Sequence, residues 1–157
     1  MNVSVKLLIL FAVLFYNITN AAPLTVGDVV PAITAKDQHG TNFVLTTNIQ
    51  YLLIATEMTV AKTANHKLAD QGAGYLEKHG AAYLMDIHTM PGIARVFAFP
   101  KLKKYPQRIV LVDSPDALVW VPRSPDHITV LALSPAGQIR KISYWDPASE
   151  PVAGIFQ

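Results

Sequence analysis

Hydrophobic residues change their spacing along the chain, and each change predicts a different element. After Pro31 the stretch AITAKDQHGTNFVLT holds two short extended runs on either side of the polar DQHG. Asp37 and Gly40 predict a tight turn between them, because aspartate bonds its own backbone and glycine supplies conformational freedom. YLLIAT (51–56) is almost wholly apolar, which predicts a strand buried on both faces. The period then lengthens. Val60, Ala64 and Leu68 recur at four-residue spacing with Lys62, Lys67 and Asp70 between them, the stripe of a one-sided helix. Thr59 stands just ahead and is expected to cap it. QGAG (71–74) weakens that helix and YLEKHG closes the segment at Gly80.

AAYLMDI (81–87) predicts a second buried strand, and Pro91 and Pro100 bracket a short helix. RIVLVD (108–113) and ALVWV (117–121) read as strands joined by an SPD turn; ITVLAL (128–133) and QIRKISYW (138–145) repeat the device around SPAG. The tail 146–157 has two prolines and no helical period. Two strands separated by a helix predict a parallel crossover, and the later hairpins add antiparallel strands. The economical fold class is α/β: a mixed sheet flanked by helices, opened by an N-terminal β-hairpin.

The N-terminal stretch changes the compartment. MNVSVKLLILFAVLFYNITNAAP carries one charge, Lys6, then the apolar run Leu7 to Phe15 and a small-residue exit. That is the build of a secretory signal over residues 1–21, with cleavage expected near Ala21 or Ala22 and a periplasmic or secreted destination. The apolar run is well short of the ~20 residues a spanning helix needs, so no membrane span is expected once the signal is removed. Residues 22–157 then have the size of one domain. The formal charge of the whole chain is +2, and removal of the signal takes away only Lys6; so even a balance argues against nucleic acid as a partner. The 51% apolar content excludes general disorder. There is no cysteine, so neither disulfides nor thiol chemistry is available.

The order of elements resembles the thioredoxin-like superfamily. VGDVVPAITAKDQHGTNFVL (26–45) is similar to the opening segment of its peroxiredoxin and TlpA-like branches, and ITVLALSPAGQIRKI (128–142) to their strand–turn–strand. TVAK with Asn65 and Leu68, then MPG, KKYP, IVLVDSPDALVW and ITVLALSPAGQI, follow the order of the YtfJ family of periplasmic thioredoxin-fold proteins over roughly residues 26 to 145. The resemblance implies a thioredoxin-like fold in the cell envelope more than it implies an activity. It also marks departures. Thr59, Val60, Ala61 and Lys62 stand about where a thioredoxin has Cys-x-x-Cys. Ile128 precedes Thr129 where the fold usually has a substrate-contacting cis-proline. The expected C-terminal helix after Trp145 is missing or stunted.

A cysteine at a helix start works because the amide ends stabilise a thiolate, starting from a pKa near ~8.5. A helix end worth ~0.3–1 kcal/mol cannot ionise a threonine hydroxyl, which would need an adjacent base. His66 lies two turns on and His39 in a distant loop, so Thr59 reads as a cap and Lys62 as a solvated residue. With both halves of the redox site altered, no thiol oxidoreductase activity is expected.

Other chemistry has thinner support. Asp86 and His88 sit two apart near a strand end and, with His39 or His127, could bind zinc or copper. Asp113 and Asp116 flank a turn proline, where aspartate serves the backbone. Lys101, Lys103, Lys104 and Arg108 form a basic cluster with Tyr105 that could meet an anionic lipid or nucleotide, or simply face solvent. No Gly-x-Ser-x-Gly or Gly-x-Gly-x-x-Gly pattern occurs, so no cofactor is implied. Val152, Ile155 and Phe156 either seal the face the missing helix would cover or leave it open to another chain, including a second copy. These readings converge on an exported, redox-inactive domain that binds an unidentified protein or small ligand. The alternative is an enzyme, metal-assisted or other, whose chemistry has moved away from the altered junction.

Overall fold

The computed structural model describes residues 22–157, so the expected signal over residues 1–21 lies outside the described residues. Within them the chain forms β1 (Ala35–Asp37), β2 (Asn42–Phe43), β3 (Tyr51–Ala55), α1 (Met58–Ala69), α2 (Tyr75–Lys78), β4 (Ala81–Asp86), α3 (Gly92–Leu102), β5 (Val110–Val112), β6 (Ile128–Leu133) and β7 (Ile139–Trp145), ending in a 3-10 turn over Val152–Gly154. The strands make one sheet in the order β2-β1-β5-β4-β3-β6-β7. β3, β4 and β5 are parallel neighbours, while β1, β6 and β7 join antiparallel. This is the mixed, helix-flanked α/β sheet that the sequence predicts, with the expected N-terminal hairpin.

Chain direction explains where the helices lie. Going from β3 to β4 to β5, the chain steps the same way each time, and right-handed crossovers then put both connecting helices on one face. Val60, Ala64 and Leu68 of α1, Leu76 of α2 and Leu102 of α3 share a core with Leu53, Ala55, Tyr83 and Met85. β6 then returns to the far side of β3, and its long connection crosses the opposite face. There Leu118, Trp120 and Val121 join Val30 and Ile33 over Leu52, Ile54, Leu84 and Leu131. β3, and β4 up to Asp86, are therefore apolar at odd and even positions alike, since these side chains enter one core or the other. Each fully buried valine, leucine, isoleucine or methionine among them contributes about 1.5–3 kcal/mol.

Residues 117–121 are not a strand. They form successive turns, with Trp120 donating its indole N–H to the Ala117 carbonyl at 2.7 Å. The reason lies in β5, which is flanked by β1 and β4 and has no free edge for a hairpin partner. α3 runs through Pro100 to Leu102 instead of stopping before the proline. The missing N–H falls in the last turn, where the break is tolerated and the helix ends at once. The tail folds back: Val152 and Ile155 are buried beside Trp145, and Phe156 stacks on His79 at 4.5 Å and meets Tyr51 edge-on at 5.2 Å. The tail thus covers part of the sheet beside Tyr51 and Trp145.

A polar seam fastens the hairpin to the helical side. The Gln38 side chain donates to the Gln107 carbonyl and accepts from the Ile109 amide, both at 2.8 Å, and Gln107 donates to the Asn65 carbonyl of α1 at 3.0 Å. In the turn beside it, Asp37 accepts from the amides of His39 and Thr41 at 2.9 Å and from Arg108 at 3.0 Å. Gly40 completes the turn at φ +86°, a conformation that favours glycine.

Burial disfavours the Asp37 charge, but those two amides and the Arg108 guanidinium outweigh it and hold its pKa below the ordinary aspartate value. A lowered folded-state pKa gives stability that is present above the unfolded value and lost as pH falls through the folded one. Asp37→Asn is therefore expected to cost about 1–3 kcal/mol at neutral pH. Its deficit against the parent should shrink below about pH 4, as the parent carboxylate is itself protonated. Urea unfolding of both proteins at neutral and acid pH measures this.

Candidate functional site

The C-terminal end of β3 is where the strand order reverses, with β4 to one side and β6 to the other. Open α/β sheets place their ligand crevices at such a switch point, because the connections leave it in opposite directions. Three segments gather at this end: the start of α1, the Asp86–His88 loop after β4, and the 124–127 turn before β6.

Helix α1 begins two residues earlier than the sequence predicts. Glu57 is its N-cap, with extended backbone at φ −126° and ψ 132°, and no side chain caps the free amides. Thr59 therefore lies inside the first turn, exposed, and does not act as a cap; Lys62 is exposed as well, whereas Val60 and Ala61 turn into the core. The Glu57 carboxylate points across the junction and accepts from the Asp126 amide at 3.4 Å. Asp126 has φ +62°, the only positive value at a non-glycine residue among those described. Aspartate tolerates this conformation better than most side chains. Neither Glu57 nor Asp126 is marked by any sequence motif. Glycine or asparagine, the usual signals of a left-handed turn position, are absent there.

The hydroxyl of Thr59 has no base. His66 is turned to Tyr105, with its Nε2 3.3 Å from the phenolic oxygen. Across the junction Ile128 is fully buried, and Thr129 is 1% exposed with its hydroxyl donating to the Pro122 carbonyl at 2.6 Å. No cis peptide occurs among the described residues. The Ile128 and Thr129 side chains are thus packed inside and do not line the surface beside Thr59. The larger cavities lie elsewhere. One of about 450 Å³ sits between β7 and the tail, lined by Lys141, Trp145 and Glu150; one of about 370 Å³ lies along β1 and β2, lined by Ile33, Asn42 and Leu45; a third of about 280 Å³ sits near Phe43, Leu76 and Arg108.

Asp86 and His88 do meet. One carboxylate oxygen of the buried Asp86 takes both the His88 amide at 3.1 Å and its Nδ1 at 2.6 Å. No third ligand joins them: among the described residues no group of three or more histidines and carboxylates could hold a metal ion. His39 is in the β1–β2 turn at the opposite end of the sheet. The His127 ring bonds the Pro125 carbonyl at 2.6 Å. Asp113, unlike Asp116, has a partner: both of its oxygens receive the forked guanidinium of Arg95, one of them at 2.8 Å. That hydrogen bonding holds the Asp113 pKa below, and the Arg95 pKa above, their ordinary values. In the basic cluster, Arg108 is engaged by Asp37, while Lys101, Lys103 and Lys104 stand exposed.

No protein-family model and no curated protein matches the sequence. Solved structures do match the fold. The thioredoxin domain of a thiol-disulfide oxidoreductase from Bacteroides vulgatus superposes with a TM-score of 0.54 at 20% identity, over 85% of this chain and 99% of that one. A peroxiredoxin-like protein from Aquifex aeolicus gives 0.53 at 12% identity, over 78% of this chain and 77% of the other. A hypothetical protein from Sinorhizobium meliloti gives 0.56 at 17% identity, over 83% and 76% respectively. The fold is thioredoxin-like, in a chain without cysteine.

The two threonines should respond differently to mutation. Thr59→Ala, at an exposed position with no cap to lose, is expected to change stability by no more than about 0.5 kcal/mol. Thr129→Val removes the donor to Pro122 in a buried site and is expected to cost about 1–3 kcal/mol. Chemical denaturation of the two variants against the parent checks the pair.

Proposed function

We propose that the chain is an exported, redox-inactive thioredoxin-fold protein, allied to the YtfJ family, that acts by binding in the cell envelope and not by thiol catalysis. The observation that carries this reading is the sulfur-free junction. An exposed Thr59 without a base faces a buried Ile128–Thr129 pair whose hydroxyl is already bonded to the Pro122 carbonyl. The signal-like N-terminal sequence supports the compartment, and the motif order from TVAK to ITVLALSPAGQI supports the family. A metal-assisted reaction is the second reading, favoured only by the orienting contact of Asp86 to His88. Elemental analysis of purified protein separates it from the first.

Two measurements test the main reading. The protein beginning at residue 22 is expected to show no disulfide reduction with dithiothreitol as donor and no peroxide consumption; turnover in either assay overturns the proposal. Thr59→Cys should place a thiol beside the uncapped amides of α1 and lower its pKa below the ~8.5 of free cysteine. The pH dependence of its alkylation rate reads this directly. An unshifted thiol would show that the junction has lost its electrostatics along with its reagent.

A further inference from the structure

The solvent side of α3 is patterned opposite to the usual surface helix. Ile93, Val96 and Phe97 are 71%, 65% and 66% exposed. Their spacing of three and four puts them on one face, the face that ordinarily carries polar residues. Pro100 and Lys101 continue the same stripe, both exposed, and the exposed Lys103 and Lys104 follow it. The inward side is occupied by Ala94, Ala98, Phe99 and Leu102 against the core. The one charge within the first two turns, Arg95, is held inward by Asp113 and by the Ile87 and Met90 carbonyls at 2.9 and 3.0 Å. No acidic residue occurs between Asp86 and Asp113, and among the described residues none of the three lysines has an ion pair. An apolar half and a basic half therefore run end to end along one exposed strip.

We propose that this strip docks the protein on an anionic bilayer surface. Ile93, Val96 and Phe97 enter the boundary between headgroups and acyl chains, and Lys101, Lys103 and Lys104 pair with lipid phosphates. Interfacial helices combine these two features, apolar insertion and attraction to anionic lipid. Charge favours lipid over a second copy as the occupant, because the strip carries no acidic residue to answer the lysines of another copy, whereas an anionic headgroup layer does. Docking of this kind is peripheral, and no described helix is long and apolar enough to cross a membrane. The proposal names the partner for the envelope-binding reading but uses a surface separate from the α1 junction. Catalytic assays at that junction and lipid binding at α3 therefore succeed or fail independently.

The test uses the protein beginning at residue 22, which contains the whole described sheet and both cores, with sedimentable vesicles. Binding is expected to vesicles containing phosphatidylglycerol, to weaken as salt is raised, and to be much poorer with phosphatidylcholine alone. Lys101→Gln and Lys104→Gln should each weaken it about fivefold. Phe97→Trp, at an exposed position that leaves the fold undisturbed, should show a blue-shifted emission on the anionic vesicles. Absence of binding, equal binding to neutral vesicles, or binding unchanged by the lysine variants overturns the proposal. So does light scattering that shows a dimer abolished by Phe97→Ser.

Discussion

Leu52, Leu53 and Ile54 are consecutive in β3, and none has any surface in contact with water. A strand in that position must be covered on both sides, and the rest of the architecture follows from this requirement. Three helices and the tail supply one cover. The segment before β1 and the long link between β5 and β6 supply the other, without a helix. The same strand has neighbours that leave it in opposite directions, so the centre of greatest packing is also the place where the chain opens a junction at its end.

The site and its chemistry are separable. Sheet topology fixes the helix start, the facing loop and the register between β3 and β6. None of this depends on which atom stands in the first helical turn. Sulfur chemistry depends on that atom entirely, because a thiol lies within reach of ionisation by a helix end and a hydroxyl does not. With Thr59 outside, Val60 and Ala61 inside, and Thr129 bonded to Pro122, this junction offers an exposed hydroxyl on one side and a packed core on the other.

The sequence is most informative where side-chain pattern and environment agree. The apolar run 51–56 and the stripe Val60, Ala64 and Leu68 lead directly to β3 and α1. It misleads at 117–121, since an apolar segment covering a sheet and one joining it look alike until the neighbours of β5 are known. The Thr59 cap fails for a related reason: a start residue is chosen by backbone geometry, and Glu57 takes that role without the usual side-chain bond. The meeting of Asp86 and His88 is legible from their spacing. The Glu57–Asp126 and Arg95–Asp113 contacts are not, because they join residues 69 and 18 positions apart whose proximity depends on the completed sheet. The outward apolar face of α3 is in the sequence as spacing alone; only the fold decides which side meets water.

The amide seam through Gln38, Gln107 and Asn65 bears on how the molecule responds to force. Residues 105–109 follow directly from α3, and their inner side is bonded both to the hairpin turn and to the middle of α1. The base of α3 is therefore a fixed mount, not a hinge. Load applied at its outer face passes into the sheet through the Gln38 and Gln107 side chains, so the helix would tilt with the body of the protein and not swing away from it.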